Sequence, residues 1–165
     1  MRFPRVIRLD ASDAQIFSPA AESGEWALTG SFAFFGVEGA QLEGKEKIAF
    51  ASGWLGSESW GRASLVEVAE IDEAEFHQVI ERLARHFVER YGAPSLVEAL
   101  PAARQEAEDA ASLAEHKIGT LLAIEREPAG PQPDGSPSFT ERLRVIQPQR
   151  ATDHAKIWNF TEDQD

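Results

Sequence analysis

Residues 72–92 constrain the fold more than any other stretch, because one run carries a helix start, an apolar face and a helix stop. Asp72 suits the N-cap, with Glu75 at the reciprocal capping-box position. Phe76, Val79, Ile80, Leu83 and Phe87 recur at three- and four-residue steps and form one stripe. His77, Ala84, Val88 and Tyr91 flank it, while Glu75, Gln78, Arg82, Arg85 and Glu89 face away. Gly92 suits the left-handed position after a helix, and Pro94 blocks continuation. Burying the five large side chains contributes roughly 7–15 kcal/mol before entropy is counted. Such a stripe needs a sheet or a second helix to cover, and the rest of the chain must supply it.

The strand candidates lie on both sides of that helix. Residues 5–9 read as a first strand, with Phe3, Ile7 and Leu9 on one side and Val6 on the other. Residues 25–35 have the strongest strand pattern: Trp26, Leu28, Phe32 and Phe34 alternate with Ala27, Thr29, Ser31 and Ala33. Gly30 within it points to a bulge or a close backbone approach. Residues 42–50 fit a short helix or an extended piece equally. Residues 63–71, apolar on both faces, predict a central strand running into the helix. The four helix positions Phe76, Ile80, Leu83 and Phe87 are expected to bury against Trp26, Leu28, Phe32 and Phe34.

Beyond Gly92, Ser95 and Glu98 predict a short capped turn ending near Leu100, and Pro101 suits the start of a separate helix reaching His116. Ala103, Ala107, Ala110, Ala111 and Ala114 trace a small-residue stripe on it. Residues 118–127 predict another central strand, and 128–137, with four prolines and two glycines, a loop. Residues 139–147 fit the return arm of a hairpin, expected at a sheet edge with one wet face. The element order predicts an α+β fold: one antiparallel sheet with two or three helices packed on one face. Residues 1–148 form a single domain on this reading. Residues 149–165 are a tail that docks through Ile157, Trp158 and Phe160 and ends acidic and mobile.

Composition narrows the chemistry. Twenty-eight acidic against 16 basic residues give a net charge of −12. That field repels phosphate backbones and anionic lipid, so no nucleic-acid or membrane partner is expected. There is no cysteine, which removes disulfides, thiolate catalysis and cysteine-ligated metals. The first ten residues lack the apolar core of a signal peptide, and no apolar run nears the ~20 residues that span a bilayer. Cytoplasm is the expected compartment.

No dinucleotide fingerprint, phosphate loop, His-Glu-x-x-His or Gly-x-Ser-x-Gly motif is present in the sequence. His77 and Glu81 are an i, i+4 pair of the kind that can share a metal, but His86 falls about 180° around the helix. A helix-surface interaction accounts for that pair, and no metal or cofactor is expected. The segment Trp54-Leu-Gly-Ser-Glu-Ser-Trp60 is the candidate ligand site, because glycines let a backbone approach a ligand and tryptophans give flat apolar walls. Trp54, Glu58 and Trp60 are its expected side chains, with His116 as a further candidate from the end of the alanine-rich helix. One tryptophan is expected to be partly exposed beside Glu58, suiting a cationic or amphipathic ligand, with the other packed inward behind it. The competing reading makes both tryptophans core anchors and the glycines mere turns. The arginines at 2, 5, 8, 142 and 144 are expected to pair with carboxylates on neighbouring strands.

Several of these segments together resemble a domain-of-unknown-function family of small proteobacterial proteins. They are Phe3-Pro-Arg-Val-Ile-Arg-Leu-Asp10, Gly24-Glu-Trp-Ala-Leu-Thr-Gly30, Ser52-Gly-Trp-Leu-Gly-Ser-Glu-Ser-Trp-Gly61, Ser64-Leu-Val-Glu-Val68, the run from Glu81 to Pro94, and Ser112-Leu-Ala-Glu-His-Lys-Ile-Gly-Thr-Leu-Leu122. The resemblance spans roughly residues 1–147 and implies a bacterial single-domain protein, with no reaction and no catalytic residues. The expected function is thus a non-catalytic accessory protein that binds a small molecule or a protein partner. The alternatives are a small hydrolase or isomerase using Glu58 and His116 as acid and base, and a structural homodimer subunit joined through a sheet edge or the alanine stripe.

Overall fold

The computed structural model describes residues 1–8, 12–148 and 158–163. In chain order the elements are β1 (Arg2–Val6), α1 (Ser12–Ile16), β2 (Ala27–Leu28), α2 (Gly44–Ser52), β3 (Trp54–Gly56), β4 (Arg62–Ala63), β5 (Val66–Glu70), α3 (Glu73–Arg90), α4 (Leu96–Leu113), β6 (Leu121–Ala129), β7 (Ser138–Pro148) and β8 (Trp158–Asp163), with 3-10 turns at Ser31–Phe34 and Gly39–Gln41. The α+β class holds, but the strands divide between two antiparallel sheets, β1-β5-β6-β7-β8 and β2-β3-β4.

The small sheet hangs from the free edge of β1, where the Val6 amide donates to the Glu25 carbonyl and Arg5 bridges Trp26. Residues directly opposed across a ladder share a face. Val6, Val66, Leu122 and Val145 are linked in this way by successive pairings, and they meet Ala27, Trp54 and Ala63 of the small sheet in one core cluster. Phe3 and Ala69 are opposed on the other face and meet α3 and α4.

The α3 helix is as its sequence requires. Asp72 caps it by accepting from the Glu75 amide, and Gly92 follows with φ 73°. The Glu75 carboxylate does not close the capping box; it accepts from the Trp26 indole N–H at 2.8 Å and so ties the helix to β2. Phe76, Ile80 and Leu83 are buried with Trp26 and Leu28, and half-buried Phe87 meets Phe32 edge-on at 5.0 Å. Phe34 turns to the opposite side and packs edge-on against Phe50.

The stretch 25–35 departs most from its pattern. Only Ala27 and Leu28 pair; Gly30 then takes φ 67° and the chain enters a 3-10 turn. The reason lies in distant arginines. Arg62 donates to the Thr29 and Gly30 carbonyls, and Arg126 donates to Thr29, so carbonyls that a ladder would use are already taken. A Cβ on Gly30 would stand 2.6 Å from the Leu55 Cβ, which leaves glycine as the residue that fits.

Five smaller expectations shift. The first strand is Arg2–Val6, earlier than 5–9, and Leu9 lies outside the described residues. Ser95 caps one continuous helix, α4, with Pro101 inside it rather than at the start of a second. The β7 strand is not an edge, because β8 pairs along it from Leu143↔Asp163 to Pro148↔Trp158. Residues 158–163 of the expected tail are therefore a strand, and the rest of that tail, 149–157 and 164–165, lies outside the described residues. Of the alanine stripe, Ala103, Ala107 and Ala110 are buried in the cluster formed with α3, β1 and β2, Ala111 packs half-buried against it, and Ala114 is buried in the inter-sheet core.

Arg5 pairs with Glu67 at 2.6 Å, and Arg142 and Arg144 both reach Glu125, as the charge pattern predicts. Among the described residues no helix is long and apolar enough to cross a membrane, and no three His, Asp or Glu side chains are grouped to hold a metal ion.

Candidate functional site

The site is built on the turn between β3 and β4, and Glu25 holds that turn. The buried Glu25 carboxylate accepts from the amides of Glu22 (2.6 Å), Glu58 (2.8 Å) and Ser59 (2.6 Å) and from the Ser59 hydroxyl (2.7 Å). Burial by itself raises its pKa, but the Ser59 amide and hydroxyl and the Glu22 and Glu58 amides together hold it below the ordinary carboxylate value. Gly61 presses so closely on Ala20 that a Cβ there would meet the Ala20 carbonyl carbon at 2.5 Å. Between the clamped turn and that contact, Trp60 is forced to φ 58°, a left-handed conformation rare for a bulky side chain.

The Trp60 ring lies flat on His86 of α3, with centroids 3.9 Å apart and planes 10° from parallel. Two clefts adjoin there and share Pro19, Trp60 and Arg62 as walls. The first, about 350 Å³, is lined by Phe17, Ala33, Phe34, Val37, Leu42 and Ala49, with Ser18, Lys45 and Glu46 beside them. The second, about 520 Å³, adds Leu55, Ser59, His86, Arg90 and Tyr91. It has three basic side chains and no carboxylate in its wall.

Arg62, in the walls of both clefts, and Arg126, in neither, both lie over the Phe34 ring, at 4.7 and 5.0 Å. Arg126 is buried and fully engaged. It donates to the carbonyls of Phe50, Gly53 and Thr29, to the Ser31 hydroxyl, and to Glu141 at 2.9 Å. Burial lowers its pKa, and Glu141 opposes that. Arg62 donates only to the carbonyls of Thr29, Gly30 and Gly53. Burial first, and Arg126 second, push Arg62 down to about 9. The Glu141 carboxylate pairs with Arg126, and among the described residues Arg62 has no carboxylate partner. His86 is also held below its ordinary value, by burial and then by Arg90.

The four side chains marked by the sequence separate. Trp60 lines both clefts. Trp54 is fully buried in the inter-sheet core behind the hairpin, and among the described residues its indole N–H has no partner. Glu58 is exposed at the turn and lines neither cleft. His116 is half-buried just past α4, where its carbonyl accepts from Arg2 at 2.6 Å, and it too lines neither cleft. Trp60 therefore stands with His86, Arg62 and Arg90 in the larger cleft, and with Lys45 and Glu46 in the smaller one, and Glu58 is in neither wall. Glu25, Arg62, His86 and Arg90 escaped the sequence reading. A signal existed for His86 and Arg90, which share a helix face at i, i+4 just before Tyr91.

Residues 1–162 match the model of DUF6505, a family of unknown function, and the chain belongs to that family. No curated protein and no solved structure matches the chain.

Proposed function

We propose that this protein is a non-catalytic accessory protein that binds a small anionic molecule in the cleft beside Trp60. The observation that carries this reading is the cleft wall itself: Arg62, His86 and Arg90 around an aromatic ring, with no carboxylate, in a chain of net charge −12. A basic concavity in an acidic protein attracts an anion against the overall field, which is a costly arrangement for surface charge placed only for solubility. The non-catalytic part is supported by Ser59, the hydroxyl in that wall, which donates to Glu25 and so is not engaged with His86 as a nucleophile with its base. The hydrolase or isomerase alternative needs Glu58 and His116 in one cleft, and neither lines either of the two described. The proposal places the protein in the bacterial cytoplasm, where an acidic, cysteine-free chain is at home.

The test is a thermal-shift and calorimetric screen of carboxylates and phosphates against their neutral amides and alcohols, on the full chain and on Arg90→Gln. Anions that raise the midpoint of the natural protein and not of the variant support the reading. A screen in which neutral compounds do as well as anions, or in which the variant responds equally, defeats it.

A further inference from the structure

The two clefts differ in character and meet at Pro19, Trp60 and Arg62, which points to a ligand of two parts. The smaller cleft is walled by Phe17, Phe34, Val37 and Leu42, and the larger by Arg62, His86, Arg90 and Tyr91. Both volumes, about 350 and 520 Å³, fall in the range of small-molecule sites. Arg62 belongs to both walls, with its guanidinium over the face of Phe34. Its hydrogen bonds engage Nη1 twice and Nη2 once, all with backbone carbonyls. Of the five N–H donors of a guanidinium, the Nε hydrogen and one Nη2 hydrogen are left for a ligand, and donors of this kind bind carboxylates and phosphates.

Resting on the binding function proposed above, we infer that the ligand is an anionic amphiphile. Its carboxylate or phosphate is gripped by Arg62 and Arg90, and its apolar body passes Trp60 into the cleft of Phe17, Phe34, Val37 and Leu42. Burial, and after it Arg126, make the Arg62 charge costly to hold, and an anionic headgroup beside it relieves that cost. The Trp60 ring, held flat against His86 and fixed by its backbone, gives the passing chain a rigid apolar shoulder. A headgroup alone fills only the larger cleft, and a neutral apolar molecule leaves Arg62 unpaired.

The experiment is calorimetric titration of the full chain with straight-chain carboxylates of increasing length, below their micelle concentrations, with the matching amides and with inorganic phosphate as the headgroup-only probe. Affinity is expected to tighten about threefold to fourfold per added methylene until the apolar cleft is full. The amides should bind at least tenfold more weakly than the acids. Leu42→Gln, and independently the half-buried Val37→Ser, should flatten the length series and leave phosphate binding unchanged. If phosphate and short acids bind with no dependence on length, the two-part ligand is wrong while the anion site stands. If acids and amides bind equally, or no anion binds at all, both readings fall.

Discussion

At the scale of single residues, Trp60 carries a stored backbone cost that makes its role measurable. A bulky residue at φ 58° is strained by about 1–2 kcal/mol. Replacement by alanine removes the ring and keeps the strain, whereas replacement by glycine removes both. Trp60→Gly is therefore expected to be more stable than Trp60→Ala by about 1 kcal/mol in urea unfolding, with both variants losing the anion response. Equal midpoints for the two would show that the backbone is not strained. Glu25 makes a second prediction, and here the sign of the pH effect is fixed by its hydrogen bonds. Its folded pKa is depressed, so its contribution is complete above the ordinary value of 4.5 and is lost as pH falls through the lower folded value. Glu25→Gln should cost about 1.5–3 kcal/mol at pH 7, and the gap to the natural protein should close as urea midpoints are followed down below that ordinary value. A gap that stays constant across that range would mean that the charge is irrelevant. The sequence exposes Trp60 as a candidate because aromatic and glycine spacing is local. Glu25, Arg62 and Arg126 stay hidden in it, since their meaning lies in amides and carbonyls tens of residues away, and no side-chain pattern records which backbone groups are unpaired.

At the scale of elements, the same distinction separates what the chain announces from what it conceals. The α3 helix is legible because cap, stripe and stop all come from neighbouring residues. The hairpin of β6 and β7 is legible because strand alternation resumes after a loop rich in proline and glycine. Residues 25–35 show an alternation just as clean and form a strand over only two of their positions, because Arg62 and Arg126 claim the carbonyls. Proline misleads in the other direction. Pro101 stands where a helix start was expected, yet Ser95 starts the helix and the ring sits in its interior. There it removes the N–H that would reach the Val97 carbonyl, and it is exposed, so its replacement sacrifices no packing. Pro101→Ala should raise the thermal midpoint by about 2–4 °C, a gain of roughly 1 kcal/mol after the looser unfolded chain is counted. Calorimetry showing a lower midpoint would mean that the ring supports a contact or that its unfolded-state rigidity dominates.

At the scale of the whole molecule, the two sheets, α2 and the 3-10 turn at Ser31–Phe34 all converge on Arg126. Its side chain is the one fully buried cation among the described residues that reaches carbonyls from three separate segments and a carboxylate on β7. Arg126→Leu should cost about 3–5 kcal/mol, because it removes the cation paired with Glu141 and leaves the Phe50 carbonyl without its donor. The loss should show as one cooperative unfolding transition moved to lower urea. A variant that merely frees α2, leaving a two-step transition, would show that the guanidinium is a local fastener only. That arrangement also sets a timetable. During synthesis the first half of the chain emerges with Arg62 on hand for the carbonyls of Thr29 and Gly53, while the Phe50 carbonyl at the end of α2 still awaits a donor encoded on β6. Until β6 leaves the ribosome the end of α2 stays open to chaperones and proteases, and the arrival of one arginine supplies the donor it lacks.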